Sequence, residues 1–259
     1  MKKTHLIGAG FFLALFFFIC NPSFSEERAT ENAEALFKSG NSYYEKGEYK
    51  NAIAEYNKII ATGKTSGAVY YNLANAYFKD GQLGMAMLNY RRGLYLTPRD
   101  ADLIANYRFA EAMIGRQDIP STGVWNWRPL RVYSGNFTVN ELTRISSAMY
   151  ILILVVLAAM IIWPGRKKQY FVTVAACLCL AILVNVFVIW HKSGEMDKGG
   201  ITVAPTVDAM FAPFDTATKF FTLYEGMEVQ VLKVKDDWCK VRRSDGKVGW
   251  VKSNAVERI

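Results

Sequence analysis

The sequence predicts a multidomain membrane protein with three parts in chain order: an all-α helical repeat, a two-helix transmembrane hairpin and a small all-β barrel. Three observations predict this fold class. An internal repeat runs through the first part of the 259-residue chain, two long apolar runs follow it, and short alternations of apolar and polar residues fill residues 200–259.

Two apolar runs, residues 145–163 and 170–190, are separated by a six-residue connection, residues 164–169. At 1.5 Å per helical residue, each run is long enough to cross a hydrocarbon core about 30 Å thick. Arg166, Lys167 and Lys168 predict a cytoplasmic connection, because basic residues in short loops stay on that side. The regions before and after the hairpin are therefore expected to share the exported side.

Residues 1–25 are expected to be a signal peptide, with a basic start, an apolar stretch over residues 6–20 and a small-residue cleavage site that ends at Ser25. The alternative is a lipoprotein cleaved before Cys20, although bulky residues precede this cysteine where such sites need small ones. An uncleaved segment would be a third anchor. In each case the chain after residue 25 is exported.

The net charge of +8 comes largely from targeting and topology. Lys2 and Lys3 in the signal peptide and the three basic residues of the hairpin connection account for five of the eight excess charges. A nucleic-acid site needs Lys and Arg gathered on one folded face. The sequence therefore predicts no nucleic-acid partner.

Four cysteines do not form a disulfide framework. Cys20 lies in the predicted signal peptide, Cys177 and Cys179 lie in the second span, and Cys239 is left in an exported region. An oxidising compartment without an evident cysteine pair argues against a disulfide-stapled fold or a dithiol enzyme.

A fixed period appears when residues 26–115 are compared with themselves at an offset of 34. The matched positions are Asn41 and Asn75, Tyr43 and Tyr77, Gly47 and Gly81, Ala52 and Ala86, and Tyr56 and Tyr90. Small residues let paired helices approach, aromatic residues fill the space between them, and glycines end each helix at a turn. This pattern resembles the tetratricopeptide repeat (TPR). Residues 101–115 predict one further helix that caps the stack.

The TPR resemblance implies an inner groove that binds a peptide. In the family register the groove residues are Phe37, Asn41 and Tyr44 in the first repeat and Tyr71, Asn75 and Phe78 in the second. The asparagines would hydrogen-bond a peptide backbone. Alternatively, the aromatic residues pack the helices, since groove and core positions differ by one residue in register. Phe37 stands where relatives that capture a terminal carboxylate have lysine, so no carboxylate capture is expected.

Residues 116–144 form a linker that is rich in turn formers and carries Trp125 and Trp127. Tryptophan is common at the headgroup layer, so we expect an interfacial segment rather than a ligand site. Thr138 and Glu141 have the spacing of a capping box, which predicts the start of the first spanning helix.

The two spans contain no Asp, Glu, Lys, Arg or His, which removes the usual groups of a proton relay or ion path. Asn185 in the second span is expected to bond to the first span, with a transport role as the alternative. Cys177 and Cys179 are expected to pack inertly, with lipidation as the alternative. The hairpin is therefore predicted to be an anchor.

Residues 200–259 form short alternating runs, and Asp245-Gly246 between two of them predicts a β-hairpin. A small barrel closes such strands without leaving edges. Residues 224–226, 236–241 and 245–251 together resemble bacterial SH3 domains. Trp238 and Trp250 would present an aromatic groove to a peptide or to peptidoglycan, or would pack in the barrel. Cys239 is expected in the core rather than as a redox thiol.

The order of signal peptide, TPR repeats, two-span hairpin and SH3-like domain resembles the BatE-like proteins of bacterial aerotolerance operons. The resemblance implies partners among von Willebrand A-domain Bat proteins and other Bat components, together with a MoxR-type AAA+ ATPase. It also implies a role in oxygen or stress tolerance. The predicted topology puts both flanking modules on the periplasmic side of the inner membrane.

No enzyme chemistry is predicted. The histidines are His5 and His191 alone, and no nucleophile–base pair or metal-ligand cluster can be assembled, so no cofactor is expected. The first hypothesis is a scaffold that holds envelope proteins and contacts membrane lipid. The alternative is an envelope sensor or tether that binds peptidoglycan. A third hypothesis, thiol chemistry, requires a reactive Cys239.

Overall fold

A computed structural model describes residues 24–114, 135–162 and 168–259. The chain divides into two compact units after Thr65, and each is described by itself. Three sequence predictions fall on residues outside these ranges: the signal peptide up to residue 23, the linker tryptophans Trp125 and Trp127, and the hairpin connection up to residue 167.

The helical repeats lie where the internal period predicts them. The first unit contains α1 (Phe24–Glu45) and α2 (Tyr49–Ala61), and the second unit opens with α3 (Gly67–Lys79), α4 (Leu83–Leu96) and α5 (Ala101–Met113). The ends of α1, α3 and α5 are spaced by one period each, as are the starts of α2 and α4. The predicted TPR helices and the additional helix are thus confirmed.

Glycine at the turn ends the first helix of each repeat. Gly47 and Gly81 have φ angles of 77° and 81°, a left-handed conformation that costs glycine little. In the second repeat the Gly81 amide donates to the carbonyl of Phe78 at 3.2 Å, and the Gln82 amide donates to that of Tyr77 at 2.9 Å. These two bonds form a Schellman motif, which satisfies carbonyls at the helix end. The corresponding bonds occur one period earlier, in the first repeat.

Two antiparallel helices, α6 (Val139–Ile162) and α7 (Lys168–Lys198), form the hairpin. Among the described residues they are the two helices with enough length and apolar sequence to cross a membrane, and most of their side chains are exposed. The predicted capping box is present, because the Glu141 amide donates to Thr138 Oγ1 at 3.1 Å and the Thr138 amide donates to Glu141 Oε2 at 2.8 Å. Asn185 reaches Met149 of α6, with Nδ2 4.0 Å from the sulfur.

Helix α7 is longer than its apolar run. It continues eight residues past Trp190 and is followed directly by the first strand. The strands are β1 (Gly199–Thr202), β2 (Thr206–Met210), β3 (Lys219–Tyr224), β4 (Glu228–Lys235), β5 (Trp238–Arg243), β6 (Val248–Lys252) and β7 (Val256–Arg258). The sheet is antiparallel, in the order β3-β2-β6-β5-β4-β1-β7.

The sheet curls around one apolar core. Leu223 of β3 and Val256 of β7 come from opposite edges of the strand order, yet both belong to the same buried cluster. Cys239 and Val241 lie in this cluster too, as their alternation predicts. The Asp245-Gly246 turn joins β5 to β6, and Gly246 has a φ of 88°. The SH3-like arrangement expected from the sequence is therefore present.

Helix α4 packs along β1, so the second repeat and the sheet contact each other. The N-cap residue of α4, Gln82, gives no side-chain cap, and the Gly84 amide instead donates to Glu225 Oε1 at 2.8 Å. Near the other end of α4, Arg92 donates to the carbonyl of Arg258 at 2.5 Å. Because an orphan amide at a helix N-terminus needs an acceptor, the β3–β4 turn completes α4.

Charged and polar groups continue this contact. Glu228 at the start of β4 pairs with Arg91 at 2.8 Å and accepts a hydrogen bond from the Tyr107 hydroxyl at 2.9 Å. Burial, followed by the neighbouring Glu228 charge, raises the pKa of Tyr107, which therefore stays a hydrogen-bond donor. The Gly226 turn lies against Ile114 and Met87. Residues of α4 and α5 thus hold one end of the sheet.

The C-terminal end of α4 contacts the hairpin. The Lys192 ammonium of α7 lies 5.6 Å from the ring centre of Tyr95 and donates to the carbonyl of Phe137. Arg99 pairs with Glu141 near the start of α6. The second repeat therefore touches both helices of the hairpin at the ends that lead into the flanking modules.

Gly84 tests the contact between repeat and sheet. A Cβ at this position would lie 2.7 Å from the carbonyl oxygen of Thr202 and 2.9 Å from the Val203 Cα, both backbone atoms. We expect Gly84→Ala to destabilise the protein by about 1–3 kcal/mol, because overpacking forces backbone to move. Thermal unfolding by circular dichroism in detergent would measure this as a lowered midpoint.

The matched control is Gly194→Ala in α7, where a Cβ meets nothing within 4 Å. Alanine favours a helix over glycine by up to about 1 kcal/mol, so this variant should unfold at the wild-type temperature or above it. A Gly84→Ala midpoint equal to the wild type would contradict the packing of α4 on β1.

Candidate peptide-binding surfaces

Helices α3 and α5 form a partly exposed surface that contains the predicted groove residues of the second repeat. We call it the α3–α5 surface and define it by Tyr71, Asn75, Phe78, Ala105 and Phe109. The Phe78 and Phe109 ring centres are 5.8 Å apart. The Phe109 side chain is 61% exposed, so an aromatic face is open to a ligand.

Asn106 of α5 organises the polar part of this surface. Its Nδ2 donates to the Tyr71 hydroxyl at 3.1 Å and to Asn75 Oδ1 at 3.0 Å. Asn75 Oδ1 also accepts from the buried Tyr90 hydroxyl at 2.6 Å. Since both hydrogen-bond partners occupy the oxygen, the Asn75 Nδ2 is the group that can donate to a ligand carbonyl.

The predicted groove residues of the first repeat have the same internal pairing. Asn41 Oδ1 accepts from the Tyr56 hydroxyl at 2.7 Å, which repeats the Asn75–Tyr90 bond. The Phe37 ring lies 6.0 Å from that of Tyr56, and the Tyr44 ring lies 5.5 Å from that of Tyr49. Phe37, Asn41 and Tyr44 are each partly exposed. These residues therefore both pack the repeat and reach its surface.

Phe109 and Ala105 did not figure in the sequence prediction. They stand one period after Asn75 and Tyr71, so a further step of the same repeat identifies them. On another side of α5, Arg108 and Glu111 stand at the positions of the buried Ala74 and Tyr77, and both are exposed. Because charged residues replace the buried ones there, α5 caps the stack.

In the sheet, each predicted ligand-binding tryptophan pairs with a lysine. Trp238 lies opposite Lys252 and Trp250 lies opposite Lys240 in the β5–β6 register. The Lys252 ammonium is 4.3 Å from the Trp238 ring centre, and it also pairs with Asp215 at 2.8 Å. Trp238 is buried. Trp250, with Lys240 at 5.7 Å, is partly exposed and is the more accessible of the two.

Two further aromatic residues lie on the sheet surface. Phe211, which is 59% exposed, stacks on Phe220 at 4.3 Å between ring centres. Lys247 of the β5–β6 turn lies 5.9 Å from the Phe220 ring centre. The bulge between Ala209 and Met210 interrupts the alternation of β2. Because Phe211 follows this bulge, the alternation of apolar and polar residues in β2 did not predict that Phe211 would lie on the surface beside Phe220.

Ionisable groups of the sheet act structurally. A hydrogen bond with Arg243 lowers the pKa of Asp245, and a hydrogen bond with Lys219 lowers the pKa of Asp208. Burial raises the pKa of Cys239, which disfavours the nucleophilic thiolate. Among the described residues, no group of three His, Cys, Asp or Glu side chains could hold a metal ion.

Family models match both kinds of module. The TPR repeat model matches residues 40–81, and the tetratricopeptide repeat model matches residues 67–100. The bacterial SH3 domain model matches residues 213–257. The chain combines TPR repeats with a bacterial SH3 domain. Domains of these kinds typically bind proteins or peptidoglycan rather than catalyse reactions.

Two curated relatives also match this chain. Sperm-associated antigen 1 of Mus musculus is 30% identical over 105 residues, and that of Rattus norvegicus is 29% identical over 99 residues. The alignments cover 40% and 38% of this chain. They cover 11% and 10% of the relatives, so the chain spans about a tenth of the length of the curated relatives that it matches.

The lysine over Trp238 makes a testable difference between the two tryptophans. We expect Lys252→Ala to increase acrylamide quenching of tryptophan fluorescence, because it uncovers a buried ring. Lys240→Ala should change quenching less, since Trp250 is already partly exposed. Equal quenching in the two variants would show that Lys252 does not shield Trp238.

Proposed function

We propose that this chain is a non-enzymatic, membrane-anchored scaffold that holds envelope protein partners through its TPR and SH3-like modules. The hairpin spans the bacterial inner membrane twice, and both modules lie on the periplasmic side. The complex serves oxygen or stress tolerance, with von Willebrand A-domain Bat proteins and other Bat components as partners. The family resemblance, rather than the geometry, supports these partner names.

The observation that carries the scaffold proposal is the exposed α3–α5 surface. It combines two aromatic rings, Phe78 and Phe109, with an amide donor on Asn75. An extended peptide offers carbonyls and side chains to such a surface. In the first repeat, Phe37, Asn41 and Tyr44 extend the proposal, since they carry the same types of group.

The membrane anchor is supported by the exposure of the hairpin. Apolar side chains such as Leu180 and Leu183 are 64% and 66% exposed. A soluble protein rarely exposes an apolar surface of this extent, whereas a lipid bilayer covers it. The contact of α4 with the ends of α6 and α7 would then fix the second repeat at the membrane surface.

The scaffold proposal is tested with point variants, because deleting the repeats would also remove the contact of α4 with the sheet. Phe109→Ala truncates an exposed ring and should reduce the recovery of co-purified partners about tenfold, as for an aromatic residue central to an interface. The readout is quantitative mass spectrometry of proteins that co-purify with the full chain from membranes.

Arg108→Ala is the matched control, since Arg108 is the exposed neighbour of Phe109 on α5. It should leave recovery unchanged. A full partner set in both Phe109→Ala and Phe78→Ala would mean that the α3–α5 surface does not hold partners.

The alternative function is an envelope sensor or tether that binds peptidoglycan. The exposed Phe211–Phe220 pair and the partly exposed Trp250 favour it, because aromatic faces can pack against sugar rings and peptide stems. We expect the detergent-solubilised chain to sediment with purified peptidoglycan, and Trp250→Ala to weaken sedimentation. If the wild type stays in the supernatant, peptidoglycan binding is wrong and the scaffold proposal stands.

A further inference from the structure

We propose that the α3–α5 surface binds the juxtamembrane segment of a second membrane protein, the stretch just outside one of its own spans. The inference rests on the proposed function, because it assumes that the hairpin crosses the membrane and that the surface binds a peptide. It adds the class of partner. The orientation of the surface and its height above the hairpin indicate this class of partner.

Helix α4 stands alongside the end of α7 and β1. Three contacts occur in order along it: Gly84 with Thr202, Arg92 with the Arg258 carbonyl, and Tyr95 with Lys192. Arg258 pairs with Gly200 in the β1–β7 register, so it marks the start of β1. Along α4 the contacts advance from Gly84 to Tyr95, whereas their partners go back along the chain from Thr202 in β1 to Lys192 in α7. Helix α4 therefore runs antiparallel to α7 and β1, with its C-terminal end toward the spans.

The C-terminal end of α4 lies at the level where the spans end. The apolar runs of the two helices are residues 145–163 and 170–190. Tyr95 meets Lys192, two residues after the second run ends, and Arg99 meets Glu141, four residues before the first run begins. This end of α4 consequently marks the membrane surface.

Helices α3 and α5 begin at this same level. Gly67 at the start of α3 lies against Thr97, and Gly93 near the end of α4 lies against Leu103 of α5, so closely that a Cβ on Gly93 would lie 2.6 Å from the Leu103 side chain. The far end of α5 reaches the Gly226 turn through Ile114. Both helices thus rise from the membrane surface, antiparallel to α4.

The helical rise gives the height of the surface. At 1.5 Å per residue, Tyr71 and Ala105 lie about 6 Å above the first residues of their helices, Asn75 and Phe109 about 12 Å, and Phe78 about 16 Å. A tilt of about 20° changes these heights by less than a tenth. An extended chain advances about 3.3 Å per residue, so a partner chain covers these heights in about two to five residues if it runs straight up from its span, and in up to about ten if it runs obliquely.

The chemistry of the surface suits such a segment. None of its five defining residues is charged, its two phenylalanines offer apolar faces, and Asn75 offers an amide donor. Juxtamembrane segments are enriched in tryptophan and tyrosine, whose rings pack against phenylalanine. An internal segment also has no terminal carboxylate, for which this surface provides no basic group.

The height is measured first. In the full chain with its native cysteines replaced by alanine, bimane is attached at Ala105→Cys or at Met113→Cys, which lies eight residues further along α5. In vesicles that carry headgroup nitroxide lipids, we expect stronger quenching at position 105 than at position 113. Equal quenching would contradict the upright orientation and overturn the proposal.

The partner is identified second. A photoreactive benzophenone amino acid replaces Phe109 in the full chain in its native membranes, with the same replacement at Arg108 as the control. We expect adducts at 109 in at least fivefold excess over 108, and the crosslinked peptide should lie within about ten residues of a span of another membrane protein.

Two outcomes overturn the juxtamembrane proposal. Adducts that map to a soluble exported protein, or to positions at more than twice that distance from any span, would show a different partner class and leave the scaffold function intact. The absence of an excess at position 109 would overturn the proposal too. The scaffold function itself is decided by the co-purification with Phe109→Ala, so the two failures are distinguishable.

Discussion

Helix α4 lacks a side-chain cap of its own, and the carboxylate of Glu225 on the β3–β4 turn accepts the hydrogen bond of the Gly84 amide. Capping bonds of this kind contribute about 0.5–2 kcal/mol, and a negative charge at a helix N-terminus adds to this. Helix α4 lies at the centre of its unit, between α3, α5, β1 and the hairpin ends. The position of each of these elements thus depends on how α4 is held by the sheet.

The contact between α4 and β1 can be close because the residue at its centre is a glycine. Gly84 has no side chain, so the backbone of α4 approaches that of Thr202 and Val203. Around this point, Glu228 pairs with Arg91 and accepts a hydrogen bond from the Tyr107 hydroxyl. At the other end, Arg99 pairs with Glu141 in the first turn of α6, and Lys192 donates to the carbonyl of Phe137 just before that helix. These contacts join the sheet, the second repeat and the hairpin within this unit, and we expect them to move as one body.

Local patterns in the sequence predicted the elements of the fold well. The internal period gave the repeat helices and their turn glycines, and Thr138 with Glu141 gave the start of α6. The second apolar run predicted a helix long enough to cross a membrane. It did not predict where α7 ends, because the polar residues after Trp190 continue the same helix. Secondary structure followed from neighbours within a few turns of the chain.

The candidate sites were harder to predict because they depend on distant residues. Glu225 and Gly84 are 141 residues apart, and no local pattern joins them. The sequence does not distinguish Trp238 from Trp250 as ligand-binding residues. In the structure, Lys252 covers the Trp238 ring more closely than Lys240 covers the Trp250 ring. Phe109 was within reach, since it follows Asn75 by one period. A capping helix at the end of a stack is not expected to contribute a groove residue, which is why the repeat pattern alone does not assign Phe109 to the groove.

The central claim is that α5 and the sheet move as one body. Pulsed electron paramagnetic resonance between nitroxides at Asp102→Cys in α5 and Ser244→Cys in the β5–β6 turn tests it most directly, since both positions are accessible to a label. The measurement uses the full chain in liposomes, with its native cysteines replaced by alanine. If α5 and the sheet move as one body, the measurement gives a single narrow distance distribution. A broad distribution, or one with several separate distances, would contradict it.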